Sequence, residues 1–148
     1  MLYIASDHGG FALKEQLKAW LLATAGRVVD LGPEKMVPDD DYPDYARKVA
    51  AKVSKNPDTD FGILICRSGQ GVCIAANKFK GVRAGLVWNT KEAKASRNDD
   101  HTNILCLPSD YIHFKQAQQI VKMWLDTPWS RDPRHIRRIK KISKLESL

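Results

Sequence analysis

A cysteine stands at the start of a glycine loop in the segment ILICRSGQGVCIAANK, residues 63 to 78. Cys66 ends an apolar run, and a helix-like stretch begins near Gly71. Glycines allow a tight turn, and the free N–H groups at the start of a helix attract an anion and favour a thiolate. Cys66 is therefore a candidate base or nucleophile beside groups that could hold a phosphate or an oxyanion. The alternative is a small buried residue that closes a strand.

Two further groups of residues offer polar chemistry. The loop SDHGG contains Asp7 and His8, which could contact a ligand or could be a helix cap and an exposed loop histidine. Arg134 and Arg138 lie four residues apart with His135 beside them, so a helix would place both guanidinium groups on one face. Such a face suits a phosphate, and it is equally typical of a solvated basic surface.

The hydrophobic pattern predicts the scaffold that positions these residues. Short β-branched apolar runs alternate with longer amphipathic stretches, which is typical of βαβ units with a parallel sheet. The predicted strands are residues 2–6, 27–31, 61–66, 82–87 and 103–107, and the predicted helices are residues 10–24, 43–54, 71–79, 90–97, 113–126 and 131–146. Ligands of such sheets bind at the carboxyl ends of the strands. The loops carrying His8 and Cys66 therefore converge if the first and third strands are neighbours.

Composition limits the class of protein. A chain of 148 residues with 43% hydrophobic residues fits a single domain, 1–148, with its own core. We expect a cytoplasmic protein, because no run of residues resembles a membrane span or a signal peptide and the three cysteines form no disulfide or metal pattern. The net charge of +7 attracts anions, but no nucleic-acid motif accompanies it, so we expect no nucleic-acid partner and no membrane partner.

Several motifs together resemble the family of type B ribose-5-phosphate isomerases and the related galactose-6-phosphate isomerase subunits. The matching segments, in the same order and with similar spacing, are IASDHGGFALKEQL, DYPDYARKVA, GILICRSGQGVCIAANK, GVRAGL and RHIRRIKKI. The resemblance implies a three-layer α/β/α sandwich with a five-stranded parallel sheet, which is a Rossmann-like fold. It also implies a homodimer or a dimer of dimers with shared active sites, in which the C-terminal helix, about 131–146, reaches the partner subunit. No metal and no organic cofactor are implied.

The implied activity is aldose–ketose isomerisation of a sugar phosphate through an enediolate. A carbon acid loses its proton only when a well-placed base acts together with groups that stabilise the oxyanion, and the loop chemistry fits that need. By position, the resemblance implies catalytic roles for Cys66 as the base, for Ser68 and for Asp99. The substrate-binding positions that it implies are Asp7, His8, Tyr42, Arg67, Gly69, Gln70, Gly71, Asp100, Arg134, His135 and Arg138.

The chain departs from the family pattern in three places. The usual Ser-Arg-x-His-Asn-Asp-x-Asn reads SRNDDHTN, which puts Asp99 where the ring-opening histidine is expected, Asp100 where an asparagine is expected, and a histidine two places later at His101. The phosphate-holding arginine after the fifth strand is replaced by Asp110, while Arg67 replaces the first glycine of the glycine loop. We interpret these changes as a relocated anion site or an altered substrate, pentose or hexose phosphate, with an uncharged sugar as a further alternative.

Two other functions are weighed against an enzyme. Loss of the histidine at position 99 favours a non-catalytic descendant that binds a sugar or sugar phosphate, whereas retention of Cys66 favours catalysis. A basic C-terminal helix could instead bind nucleic acid, with salt-dependent retention as its signature. Trp88 is interpreted as a packing residue, with stacking on a sugar ring as the alternative. Cys73 and Cys106 are expected to be buried.

Overall fold

The structure, a computed structural model, describes residues 1–148 and contains alternating strands and helices. The strands are β1 (Leu2–Ser6), β2 (Val29–Asp30), β3 (Phe61–Cys66), β4 (Ala84–Leu86) and β5 (Ile104–Pro108). The helices are α1 (Phe11–Ala25), α2 (Tyr42–Val53), α3 (Gln70–Ala76), α4 (Thr90–Asn98), α5 (Phe114–Asp126) and α6 (Pro133–Leu145), and a short 3-10 turn, His8–Gly10, precedes α1. Every predicted strand and helix is present.

The five strands form one parallel sheet in the order β2-β1-β3-β5-β4. The chain leaves β1 toward one edge of the sheet and leaves β3 toward the other edge. The carboxyl ends of β1 and β3 therefore meet at the point where the connections diverge, which is where ligands bind in this class of sheet. The expectation that the two strands are neighbours is confirmed.

Apolar residues fill both faces of the sheet, so the central strands are hydrophobic on each side. One core lies between the sheet and α1, α4 and α5, with Trp124 fully buried. The other lies between the sheet and α2 and α3, and it includes Val49 and Cys66. This gives the predicted three-layer α/β/α fold, and it explains why β3 and β5 have near-continuous apolar sequences.

The edge strands are shorter than the sequence predicted. The run 27–31 contributes only Val29–Asp30 to the sheet, and the run 82–87 contributes only Ala84–Leu86. Each of these strands has a single neighbour, because β2 pairs with β1 and β4 pairs with β5. An edge strand gains hydrogen bonds on one side only, so fewer of its residues are held in the ladder.

A buried lysine connects α1 to the loop after β2. Lys14 is fully buried, and its Nζ donates to Asp30 Oδ2 at 2.8 Å and to the Pro33 carbonyl at 2.7 Å. Burial alone would raise the pKa of the Asp30 carboxyl, but hydrogen bonds from Lys14 and Lys18 lower that pKa below its usual value. The charge is thus paired where it is desolvated, as a buried ion requires. Among the helices, none has the length and apolar character needed to cross a lipid bilayer.

Candidate active site

Cys66 ends β3 and lies at the carboxyl edge of the sheet, with 5% of its surface exposed. Its carbonyl oxygen accepts a hydrogen bond from Ser109 N at 2.9 Å. The Ser109 hydroxyl lies 2.8 Å from the Gly9 carbonyl oxygen and 3.1 Å from that of Cys66. Ser109, which follows β5, therefore ties the loops after β1 and β3 together. Sequence reasoning missed this role, because it treated the loop after β5 only as the place where an arginine is absent.

The loop after Cys66 presents backbone N–H groups that have no partner in the protein. Gly69 has φ of 73°, so the turn requires glycine, and a Cβ there would also press on Leu86 Cδ1. The N–H groups of Ser68, Gly69 and Gly71 donate to no protein acceptor, whereas Gln70 N donates to Ser68 Oγ at 3.3 Å. Because α3 has only seven residues, these separate N–H groups matter more for an anion than the helix dipole does.

Asp7 and His8 follow β1 directly and lie at the same carboxyl end of the sheet as Cys66. Asp7 is buried, and its Oδ1 accepts a hydrogen bond from Gly10 N at 3.1 Å. Burial raises the pKa of the Asp7 carboxyl, although the N–H groups of Gly10 and Gly9 and the charge of His8 act in the other direction. His8 Nδ1 lies 2.8 Å from Asp40 Oδ1, and this hydrogen bond raises the pKa of the His8 imidazole. The loop thus carries one carboxyl and one imidazole with shifted pKa values.

Tyr42 and Arg67 pack directly on glycines of this site. A Cβ at Gly71 would lie 2.5 Å from Tyr42 Cζ, so the Tyr42 ring covers the start of α3. A Cβ at Gly9 would lie 2.5 Å from Arg67 Cγ, so the Arg67 side chain crosses the loop after β1. We call Asp7, His8, Tyr42, Cys66 and the loop from Arg67 to Gly71 the thiol site.

Arg67 and Asp110, two of the departures from the family pattern, form an ion pair. Arg67 Nη1 lies 3.6 Å from Asp110 Oδ2, and both side chains are largely exposed, at 67% and 49%. The backbone also joins them, because Asp110 N donates to the Arg67 carbonyl at 3.0 Å. The Arg67 cation is therefore partly neutralised by the Asp110 carboxylate.

The remaining predicted site residues form a second group, which we call the C-terminal cluster: Asp99, Asp100, His135 and Arg138. Buried His135 has Nδ1 2.7 Å from Ser130 Oγ and Nε2 3.9 Å from Asp99 Oδ1. Burial, followed by the charge of Asp99, raises the pKa of the Asp100 carboxyl, while His135 and Arg138 oppose that shift. Arg134, at the start of α6, faces Asp132 with Nε 3.6 Å from Oδ1.

Within one chain, the thiol site lies at the carboxyl ends of the strands and the C-terminal cluster lies at their amino ends. The helix α4 starts after the carboxyl end of β4 and runs back, so Asp99 at its C-terminal end lies near the amino ends of the strands. A strand of five residues spans about 16 Å. No hydrogen bond or ion pair joins the two groups. The structure therefore does not bring Asp99 to Cys66 in the same subunit, although sequence analysis placed both among the catalytic residues.

His101 is a packing residue and takes no part in either group. Its ring stacks on Trp129 with centroids 4.3 Å apart and planes 2° apart. Burial, with added repulsion from Arg83 and Arg97, lowers the pKa of His101 to about 4, so the ring is neutral at neutral pH. A shifted histidine at position 101 thus does not restore the imidazole that the family pattern has at position 99.

Trp88 differs from its interpretation as a packing residue. The side chain is 52% exposed, and with Ser68, Gln70 and Tyr111 it lines an open cleft of about 730 Å³ beside the thiol site. The buried tryptophan is Trp124, whose Nε1 donates to Thr102 Oγ1 at 2.9 Å. Cys73 is half-buried instead of buried, while Cys106 is buried as expected. Exposure of Trp88 follows from its place just beyond the short edge strand β4, where no further strand covers it.

One group of side chains has the composition of a metal site. Ligand atoms of Asp7, His8 and Asp40 lie within 4.8 Å of one another. However, His8 Nδ1 and Asp40 Oδ1 face each other at 2.8 Å, so each already serves as the other's partner. The group is best described as a hydrogen-bonded pair beside a buried carboxyl.

Comparison with known proteins gives a consistent result over almost the whole chain. A profile of the ribose/galactose isomerase family matches residues 2–142. The chain is 47% identical over 145 residues to a probable ribose-5-phosphate isomerase B of Mycoplasma genitalium, covering 98% of this chain and 95% of that protein. It is 38% identical over 140 residues to ribose-5-phosphate isomerase B of Escherichia coli, covering 95% and 92%.

Solved structures agree with the sequence comparisons. The crystal structure of ribose-5-phosphate isomerase B from M. genitalium with bound ribulose-5-phosphate superposes with a TM-score of 0.95 at 46% identity, covering 99% of this chain and 95% of that chain. The ribose 5-phosphate isomerase from Thermotoga maritima superposes with a TM-score of 0.91 at 43% identity, with 97% of each chain covered. With this length of match and this identity, the chain belongs to the ribose/galactose isomerase family.

Proposed function

We propose that this protein is an aldose–ketose isomerase that interconverts ribose 5-phosphate and ribulose 5-phosphate, with Cys66 as the base. The observation that carries the proposal is the thiol of Cys66 at the carboxyl end of β3, directly beside backbone N–H groups that have no protein partner. Relatives named ribose-5-phosphate isomerase B cover nearly the full chain, and one of them has ribulose-5-phosphate bound. A pocket that pairs a base with oxyanion donors suits proton abstraction next to a carbonyl.

The proposed chemistry moves one proton from carbon 2 to carbon 1 and one proton from oxygen 2 to oxygen 1 within the sugar. The Cys66 thiolate removes the proton from carbon 2 of the open-chain aldose, and the electron pair of that bond forms the enediolate. The N–H groups of Ser68, Gly69 and Gly71 hold the negative oxygen at carbon 1. The hydroxyl proton on oxygen 2 moves to oxygen 1, and the proton held by Cys66 returns to carbon 1, so that carbon 1 becomes an alcohol carbon and carbon 2 becomes the ketone. No outside oxidant or reductant is consumed.

Other residues of the thiol site bind the sugar in this proposal. Asp7 and His8 contact the hydroxyl or phosphate oxygens, and Tyr42 covers the sugar from the side of α2. Ser68 supports the ring during opening. Arg67 contributes positive charge for the phosphate, and its pairing with Asp110 moderates that charge.

We further propose that a second copy of the chain completes each site. The C-terminal cluster is far from Cys66 of its own subunit because it lies at the amino ends of the strands, whereas Cys66 lies at a carboxyl end. Arg134 and Arg138 are exposed on α6 and can reach a neighbouring molecule. In a dimer, this cluster would bring Asp99 for proton transfer at the ring oxygen, and Arg138 together with Arg134 would supply two guanidinium groups for the phosphate of the partner's substrate.

Proton exchange tests the proposed reaction directly. Ribose 5-phosphate is incubated with the protein in heavy water, and proton NMR follows both the carbon-2 proton and the formation of ketose. Cys66→Ser should abolish exchange and turnover while the dissociation constant for ribose 5-phosphate changes little. Cys73→Ser is the matched control, because it removes a half-buried thiol on α3 that the mechanism does not use. Full activity of Cys66→Ser would remove the thiol from the mechanism.

A binding protein without catalysis is the second candidate, and one observation favours it. Asp99 stands where the family pattern has a ring-opening histidine, and His101 does not replace it, because its ring is packed on Trp129. Binding of ribose 5-phosphate without any exchange at carbon 2 would support this second function. Restored exchange in Asp99→His would then show that only ring opening had been lost.

A further inference from the structure

Asp40 holds the site residue His8 through two hydrogen bonds to one oxygen. Asp40 Oδ1 accepts from the His8 backbone N–H at 2.8 Å, and it lies 2.8 Å from His8 Nδ1. Asp40 belongs to the loop before α2 and is 32 residues from His8 along the chain, so this contact is purely tertiary. The carboxylate side chain is 7% exposed, whereas the His8 side chain is 29% exposed. A mostly buried carboxylate therefore holds the Nδ1 side of a partly exposed imidazole.

The two contacts determine which ring nitrogen can meet a ligand. With Asp40 as an acceptor, Nδ1 must carry its proton, and Nε2 is left with no partner in the protein. We propose that Asp40 is a positioning residue for the thiol site: its carboxylate fixes the His8 ring so that the free Nε2 side meets an oxygen of the substrate and donates to it when the ring is protonated. The inference deepens the proposed function and rests on it, because it assigns His8 to the phosphate or hydroxyl oxygens of that substrate.

The charges around the pair support a protonated ring. The hydrogen bond from Asp40 raises the pKa of His8, and the charge of Asp7 adds to this effect, while partial burial and Arg67 act against it. Burial alone would raise the pKa of Asp40, but the hydrogen bonds from His8 lower it, so Asp40 stays ionised. Burial and the Asp40 charge raise the pKa of Tyr45 to about 12, which keeps the neighbouring phenol neutral. Both shifts favour the charged forms of the pair, a carboxylate at Asp40 and an imidazolium at His8.

The Asp40–His8 pair also bears on how much positive charge the thiol site offers to an anionic substrate. The family arginine after the fifth strand is Asp110 here, and Asp110 engages Arg67. When protonated, His8 supplies a second cation on the β1 side of the site. Because Asp40 sits behind the ring, its negative charge is separated from a ligand at Nε2 by the imidazole itself.

The first test measures the ring without any ligand. Long-range proton–nitrogen NMR on the ¹⁵N-labelled full chain identifies the His8 ring by its loss in His8→Asn. At a pH where the ring is neutral, the proton should reside on Nδ1. A proton on Nε2 would overturn the inference. In Asp40→Asn, which keeps the shape and one acceptor oxygen but removes the charge, the pKa of His8 should fall. Asp39→Asn, which removes an exposed charge one residue away, should leave that pKa unchanged.

The second test measures the dissociation constant of ribose 5-phosphate by calorimetry at pH 7. Removing a nearby negative charge should by itself strengthen the binding of an anion, as Asp39→Asn will show to a small degree. Loss of a positioning carboxylate should instead weaken binding, by about tenfold, the lower end of the effect on metal affinity when a metal-ligating histidine loses such a carboxylate. Asp40→Glu, which keeps the charge, should recover part of the loss. Equal or tighter binding by Asp40→Asn would refute the inference. Neither test measures turnover. A protein without isomerase activity would therefore contradict the proposed function and leave the role of Asp40 open to both tests.

Discussion

Gly10 offers a sharp test of how the thiol site is positioned, because the site depends on close approach of the loop after β1 to β3. A Cβ added at Gly10 would lie 2.6 Å from the carbonyl oxygen of Ile65 and 2.7 Å from its carbonyl carbon. Gly10 has φ of −96° and ψ of −4°, which alanine adopts without strain, so the cost of Gly10→Ala is purely steric. Ordinary contact begins at 3.4 Å, so the two backbones must separate by about 0.8 Å.

The size of the effect follows from where that movement must occur. Ile65 is fully buried in the centre of the sheet and cannot move outward, so the turn before α1 must lift and carry His8 with it. Overpacking against backbone belongs at the upper end of the usual range, about 3 kcal/mol in the free energy of unfolding. In a chain of this size, about 3 kcal/mol lowers the melting temperature by roughly 6–12 °C. A misplacement near 1 Å also costs up to about 100-fold in kcat/KM.

Urea unfolding and thermal melts of Gly10→Ala measure the loss in free energy of unfolding. Isomerase kinetics at a temperature where the variant is folded measure the loss in kcat/KM. The matched control is Gly26→Ala, since Gly26 ends α1 with φ of 71° and no atom within 4 Å of the added Cβ. Its cost is backbone strain alone, about 1–2 kcal/mol, with kcat/KM unchanged. A loss below about 1 kcal/mol in Gly10→Ala would refute the claim that this contact sets the spacing of the two loops.

Three further outcomes follow from the structure. Asp110→Asn should free Arg67 and lower the KM for ribose 5-phosphate, whereas Arg67→Ala should raise that KM. An unchanged KM in both variants would mean that neither group meets the phosphate. Trp88→Ala should change the free energy of unfolding by less than about 1 kcal/mol, because the ring is 52% exposed, while Trp124→Ala, at 0% exposure, should cost about 3–5 kcal/mol in urea titrations. Because the pKa of Asp30 is lowered in the folded state, its stabilisation is complete above the unfolded value of about 4 and is lost as the pH falls through the folded value. Asp30→Asn should therefore lower the urea midpoint more at pH 7 than at pH 3. An equal loss at both would contradict the ion-pair account.

Local patterns were sufficient for the central strands and the helices. In β3 and β5 the sequence is apolar at nearly every position, because helices cover both faces of the sheet, and such a run is recognisable without knowing its neighbours. The short edge strands were overestimated, since an apolar run does not reveal whether a second strand stands beside it. Trp88 was misjudged for the same reason: its exposure depends on what lies beyond β4.

The family and the list of candidate residues came from the sequence, because motifs such as SDHGG and CRSGQG are local strings with a fixed order. What these residues touch was decided by the tertiary structure. His8 meets Asp40 across 32 residues, and Ser109 joins two loops that are distant in the chain.

The clearest division concerns Asp99 and Cys66. The family resemblance placed both among the catalytic residues, and no feature of the sequence shows that one chain keeps them apart. The separation arises because α4 must run antiparallel to the strands that it connects, which carries Asp99 to the amino edge of the sheet while Cys66 stays at the carboxyl edge. The sequence by itself determined which groups are available for chemistry, and the direction of each helix relative to the sheet decided which of them can meet.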